Sequence, residues 1–119
     1  MMSDQYKELV SLLLPEGILR YFSLTQVIQS KDGQVHLYLE EQNIPPEEHQ
    51  GRLLHSKGFL PSIEVQDFPL RGNKCLLHIN RRRWQAQDTG EVIVRDWNLV
   101  QSGTRMTAEF AAFLKEVFG

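Results

Sequence analysis

Four arginines and two tryptophans crowd into residues 81–97, as Arg81-Arg82-Arg83-Trp84 and Arg95-Asp96-Trp97. Guanidinium groups grip phosphate oxygens through a rigid fork of N–H donors, and indole rings stack on bases or beneath guanidinium planes. Three consecutive arginines also repel one another and lose side-chain entropy when ordered. Such a run points to a polyanionic partner, or to carboxylates of the same chain that absorb the charge.

In the first alternative, Arg81 and Arg83 neutralise phosphates, and Arg95, Lys74, Arg71 and Arg105 extend the footprint. Six contacts of this kind would weaken binding on the order of 10³-fold between 50 and 200 mM salt. In the second, strand alternation sends Arg82 and Trp84 to the face opposite Arg81 and Arg83. Arg82 then forms a structural pair with Asp96, both tryptophans are core, and the remaining arginines face water. The residues alone leave a nucleic-acid role and a structural or protein-contact role both open.

Other chemistries find little support. The chain has no phosphate-cradling glycine loop, no HExxH and no GxSxG, so no catalytic residue is assigned. Its single cysteine, Cys75, excludes an internal disulfide and any multi-thiolate metal site. Between Asn73-Lys74 and Leu76-Leu77 it reads as a small buried hydrophobe. His36, His49, His55 and His78 lack ligand spacing, so neither metal nor cofactor is expected. The carboxylate pairs Glu40-Glu41 and Glu47-Glu48 read as solvated charges in or beside a loop. A ligand-binding or hydrolytic site joining His78 to Asp96 has no motif behind it.

The 119 residues suit a single domain, 1–119, and a net charge of −2 conceals segregation. Residues 1–51 carry eight acidic against three basic side chains, and residues 52–105 carry nine basic against five acidic. No apolar run is long enough to span a membrane, and the first residues lack the basic flank of a signal peptide, so the chain reads as intracellular.

Tyr6, Leu9, Val10, Leu13 and Leu14 fall on one helical stripe, giving a helix over about 4–14, with Ser3 or Asp4 to cap it and Pro15 to end it. Ser30-Lys31-Asp32-Gly33 separates two strand-like runs, 23–29 and 34–40, as a hairpin turn would. Asn43-Ile44-Pro45-Pro46-Glu47-Glu48 must be a loop. Residues 52–60 are ambiguous, with a short strand possible around Leu53–Ser56. The rest of 24–98 reads as a meander: Ile63–Gln66, a turn at 69–73, a long strand from Lys74 to Gln85, and a hairpin at Asp88-Thr89-Gly90. Pairing Gln87 with Glu91 across that hairpin would set Trp84 opposite Val94, Arg82 opposite Asp96, Arg83 opposite Arg95 and Arg81 opposite Trp97. Thr107 caps a final helix, about 107–118, whose stripe is Phe110, Phe113, Leu114, Val117 and Phe118. The class is α+β: antiparallel β-hairpins and meander flanked by an N-terminal and a C-terminal helix.

The blocks "LLLPEGILRYF", "LYLEEQNIPPEE", "QDFPLRG", "RRRW", "DWNLV" and "GTRMTAEFAAFLKE" resemble the short N-terminal region of a bacterial insertion-sequence transposase family. The likeness runs from about residue 9 to residue 118. It implies a bacterial, cytoplasmic role in DNA transposition, preceding a catalytic region of the DDE type that holds the acidic triad. The expected partners are transposon-end DNA, the catalytic transposase region and a homo-oligomer, and no membrane. Larger related transposases begin with a four-cysteine zinc module; one cysteine cannot supply it, so no zinc is carried over. A docking or oligomerisation domain without DNA contact is the alternative, with Phe113, Val117 and Phe118 as its apolar surface.

Overall fold

A computed structural model describes residues 4–96 and 105–118. The chain runs α1 (Asp4–Leu13), α2 (Ile18–Tyr21), β1 (Phe22–Gln29), β2 (Val35–Glu41), a 3-10 turn (Glu47–His49), β3 (Leu54–Phe59), β4 (Ile63–Leu70), β5 (Asn73–Asn80), β6 (Arg82–Ala86), β7 (Val92–Val94) and α3 (Ala108–Phe118). The α+β class expected from the sequence is the class observed. Two sheets divide the strands: a four-stranded sheet in the order β1-β2-β5-β4 and a three-stranded sheet in the order β3-β6-β7.

Local chemistry explains most of the elements. Gly33, at φ 89°, closes the β1–β2 hairpin where the Asp-Gly signal places it. The β4–β5 hairpin turns on two residues, Arg71 and Gly72, both at positive φ, as its tight geometry requires. The pairing of β2 with β5 is parallel, Val35 opposite Cys75 through Glu40 opposite Asn80. The two strands are joined through β3 and β4, a crossover long enough to return the chain to the same end of the sheet, and hairpin signals between neighbouring runs do not reveal it. The continuous strand expected from Lys74 to Gln85 breaks at Arg81, where the chain leaves the first sheet for the second.

Alternation along β2 and β5 builds the main core. Leu37, Leu39, Val65, Cys75, Leu77 and Ile79 are buried on one face against Leu14, Ile18 and Phe22, with Val10 packed alongside. Cys75 is the small buried hydrophobe expected, and burial pushes its thiol up to about 11. A second, smaller core holds Trp84, Ala86 and Ile93, with Leu54 against them. Trp84 is fully buried, and its indole N–H donates to Asn43 Oδ1 at 2.8 Å, which ties the proline-rich loop to the second sheet.

The C-terminal helix is anchored through its cap. The Thr107 hydroxyl accepts the Phe110 N–H at 3.3 Å and donates to Asp67 Oδ1 at 2.8 Å. Phe110 packs on Phe68 with ring centroids 5.2 Å apart. Asp67 lies opposite Cys75 on the buried side of β4. Burial raises its carboxyl above the ordinary value of 3.8, and the Thr107 hydroxyl opposes that rise. An acid whose folded value is raised weakens the fold above that value, and the penalty disappears once the pH drops below the unfolded value. Asp67→Asn, which keeps the acceptor for Thr107 and removes the charge, should therefore raise stability at pH 7. Urea titrations at a series of pH values should show this advantage shrinking towards pH 4; a constant advantage would show that the Asp67 charge is not its source.

Candidate functional site

The second hairpin adopts a register one residue away from the expected pairing. Arg83 faces Val94, Trp84 faces Ile93 and Gln85 faces Val92. The loop explains the slip: Ala86 N–H donates to Glu91 O at 2.9 Å, so Ala86 rather than Gln87 closes the hairpin opposite Glu91. One step of register exchanges the faces of a strand. Ile93 therefore turns inward onto Trp84, Val92 and Val94 turn outward, and Arg95 follows Ile93 inward.

This exchange corrects two expectations about the arginines. Arg95, a candidate for phosphate contact, has a side chain only 10% exposed and pairs with Glu41, Nε to Oε2 at 2.9 Å. Its guanidinium lies 3.9 Å from the Tyr21 ring centroid and also donates to the Ile44 carbonyl. A phosphate would have to displace all three partners. The expected Arg82–Asp96 pair is absent as well. Arg82 donates through Nε to the Glu41 carbonyl at 3.2 Å and through Nη1 to Ser56 Oγ at 2.6 Å, with its guanidinium over the Phe59 ring. Asp96 is exposed. It lines a cleft of about 350 Å³ with Tyr21, Pro46, Glu47, Glu48 and Arg95. The expected pairing of Arg81 with Trp97, and any core role of Trp97, lie outside the described residues, as does a Ser3 cap.

Glu41 is the residue that sequence reasoning missed. Its place beside a loop predicts a solvated charge, yet it is 2% exposed. Its Oε1 accepts the Arg82 N–H at 2.9 Å while Oε2 takes Arg95. The signal was present: Val35, Leu37, Leu39 and Glu41 share one face of β2, so alternation carries Glu41 inward. One carboxylate thus joins the end of the first sheet to the start of β6 and the exit of β7.

The remaining candidate cations do not converge. Arg71 and Lys74 are exposed at the β4–β5 turn, at the far end of β5 from Arg81. Seven residue-to-residue steps of extended chain separate Lys74 from Arg81, about 23 Å at 3.3 Å per step. Arg105 is exposed beside β4, where its carbonyl accepts the Gln66 N–H at 2.7 Å. Arg81 is half-buried, and its Nε is closed from solvent without a hydrogen-bond partner among the described residues. Arg83 is exposed, its Nε donating to the Lys57 carbonyl at 2.9 Å.

Arg83 belongs to a small cationic face. Strand pairing sets His55 opposite Gln85, and Gln85 and Arg83 opposite Val92 and Val94, all on the side away from Trp84. Lys57 is exposed on the neighbouring strand. These strands place no carboxylate on that side. The hairpin tip is acidic but occupied: Asp88 and Glu91 lie 3.1 and 3.9 Å from Arg52. Arg52 and its hydrogen bond hold the Asp88 carboxyl below its ordinary value.

The parallel ladder also brings together two histidines that sequence reading kept apart. His36 Nδ1 lies 2.8 Å from His78 Nε2 on the sheet face opposite the main core. The Tyr38 ring stacks on His78 at 4.4 Å, and Glu64 Oε2 lies 3.9 Å from His78 Nδ1. A ring-to-ring contact needs one donor and one acceptor, so at least one imidazole is neutral. Burial lowers His78 from its ordinary value, Glu64 opposes that, and His36 adds to it. His78 therefore sits with His36, Tyr38 and Glu64, not with Asp96. No group of three or more His, Cys, Asp or Glu among the described residues could hold a metal ion.

Comparison with protein-family models, with curated proteins and with solved structures finds no match to this chain.

The seam around Glu41 makes a strong stability prediction. Removing one partner of a buried ion pair costs roughly 3–5 kcal/mol, because the other charge stays buried and uncompensated. Glu41→Gln should fall in that range by urea denaturation, and adding Arg95→Met should recover part of the loss by removing the stranded cation. A Glu41→Gln effect below about 0.5 kcal/mol, the scale of an exposed pair, would rule out the buried pairing.

Proposed function

We propose that this chain is a non-catalytic accessory region of a DNA transposase that contacts nucleic-acid backbone through the outer face of its second sheet. The observation that carries the reading is the carboxylate-free arrangement of Arg83, His55 and Gln85 on that face, with the exposed Lys57, whose carbonyl holds Arg83, beside them on β3. The transposase context is supported by the resemblance of the "QDFPLRG", "RRRW" and "GTRMTAEFAAFLKE" blocks. Of the six cations expected to touch DNA, Arg83 belongs to this face and Arg81 adjoins it. Arg95 is committed to Glu41, and Arg71, Lys74 and Arg105 lie elsewhere.

Two phosphate contacts, from Arg83 and Lys57, bound the strength of such binding. A log–log salt slope of about −1.8 follows, so affinity drops about tenfold between 50 and 200 mM instead of a thousandfold. Contact of this size adds to an assembly rather than selecting a site alone. Base edges would be read elsewhere, and the catalytic acidic triad belongs to a downstream region.

A second reading, docking onto the catalytic transposase region, is favoured by one further observation. α1 exposes Tyr6, Leu9, Leu12 and Leu13, and α3 exposes Phe113, Val117 and Phe118, apolar helix surface that the main core leaves uncovered.

The two readings separate in a salt-titrated binding assay with duplex DNA. Arg83→Ala and Lys57→Ala should each weaken binding and make the slope shallower by about one unit, whatever the DNA sequence. Arg71→Ala and Lys74→Ala should leave both unchanged. Binding and slope that survive the Arg83→Ala/Lys57→Ala double substitution would overturn this face as the DNA contact, and an unsubstituted chain that does not bind duplex DNA would favour docking.

A further inference from the structure

A sheet edge offers a row of unpaired backbone groups to any passing strand, and proteins guard edges with charge, proline, bulges, shortness or a covering segment. Three of the four outer strands here are guarded. β4 carries Glu64, Asp67 and Pro69, and its edge is occupied where Gln66 bonds to Arg105 O and from Thr107 N. β3 carries Lys57 and Gly58 and shifts register between Ser56 and Phe59. β7 is three residues long.

β1 has almost none of these defences. Its eight residues, Phe-Ser-Leu-Thr-Gln-Val-Ile-Gln, include no charge and no proline, in a chain where 24% of residues are charged. Val27 is 59% exposed and Ile28 39% exposed. A bulge between Leu24 and Gln26 and the Gln42 amide on the Phe22 carbonyl protect the first half. The second half, Gln26–Gln29, runs in regular register against β2 and is bare on its other side among the described residues.

We propose that two copies of this chain pair through β1, antiparallel, joining their four-stranded sheets into one of eight strands. A two-fold axis perpendicular to the sheet, beside Val27, sets Val27 against its symmetry mate and Gln26 against the mate of Ile28. It keeps each core face beside the other core face, because Val27 shares the side of Leu37 and Ile28 the side of His36. The composition of the strand selects a second copy as partner. Symmetry brings like residues together, so any charge near the axis would meet its own kind. A segment free of charge meets that condition, whereas a foreign charged peptide would find nothing on β1 to steer or hold its register. The pairing rests on the strand itself and does not depend on the DNA reading.

Sedimentation equilibrium on the full chain tests it, at concentrations on the order of 10–500 µM, suited to an interface below about 1,200 Å². The unsubstituted chain should approach twice its monomer mass. Val27→Lys and Val27→Glu should each stay monomeric with an unchanged circular-dichroism spectrum, since position 27 is exposed. An equimolar mixture of the two should regain the dimer, because opposite charges then face each other across the axis. Val27→Cys should form a covalent dimer on mild oxidation, since facing residues in an antiparallel pair lie within disulfide reach. An unsubstituted chain that stays monomeric, a Val27→Lys variant that still dimerises, or a mixture that stays monomeric would each overturn the proposal.

Discussion

The carboxylate of Glu41 is the constraint on which the arrangement of this molecule depends. It sits at the end of β2, buried, and takes the Arg95 guanidinium with one oxygen and the Arg82 N–H with the other. Two sheets with separate cores meet there, and neither core reaches the other. An ion pair removed from water gains little over well-packed apolar groups, but losing one member is costly. The pair therefore acts less as a source of stability than as a lock on geometry, because any arrangement of the sheets that separates Glu41 from Arg95 strands a buried charge. Tyr21 beneath the guanidinium and the Ile44 carbonyl beside it extend the lock to α2 and the proline-rich loop.

That lock explains what becomes of the basic run. Three arginines in sequence are tolerable because they are sent to three places: Arg82 into the seam, Arg83 to the outer face of the second sheet, Arg81 to the turn between sheets. The fourth, Arg95, joins Arg82 at Glu41. Much of the positive charge that looks available for a polyanion is spent inside the protein. What is left suits a contact of modest strength, which gains weight when several chains act together.

Much of the architecture was legible in the residues. Asp32-Gly33 marked the first hairpin, the stripe of Tyr6, Leu9, Val10 and Leu13 marked α1, and Thr107 marked the cap of α3, because each signal acts within a few residues. The failures share a different cause. The parallel pairing of β2 with β5, and with it the contact between His36 and His78, joins segments about 40 residues apart that no periodicity connects. The hairpin register turned on whether Ala86 or Gln87 closed the loop, and one residue was enough to reverse the roles of Val94 and Arg95. An inward arginine in this hairpin does need a carboxylate to neutralise it. That carboxylate is not Asp96, near in sequence, but Glu41, which lies on the buried face of β2 by the same alternation that identifies Leu37 and Leu39.

If Glu41 locks the two sheets together, they must open as one unit. Native-state hydrogen exchange across a urea series measures this directly, comparing the amides of Leu77 and Ile79 in the first sheet with those of Trp84 and Ala86 in the second. A single opening free energy with a common urea dependence is the predicted result. Second-sheet amides that exchange through a smaller opening, with their own shallower urea dependence, would contradict the account.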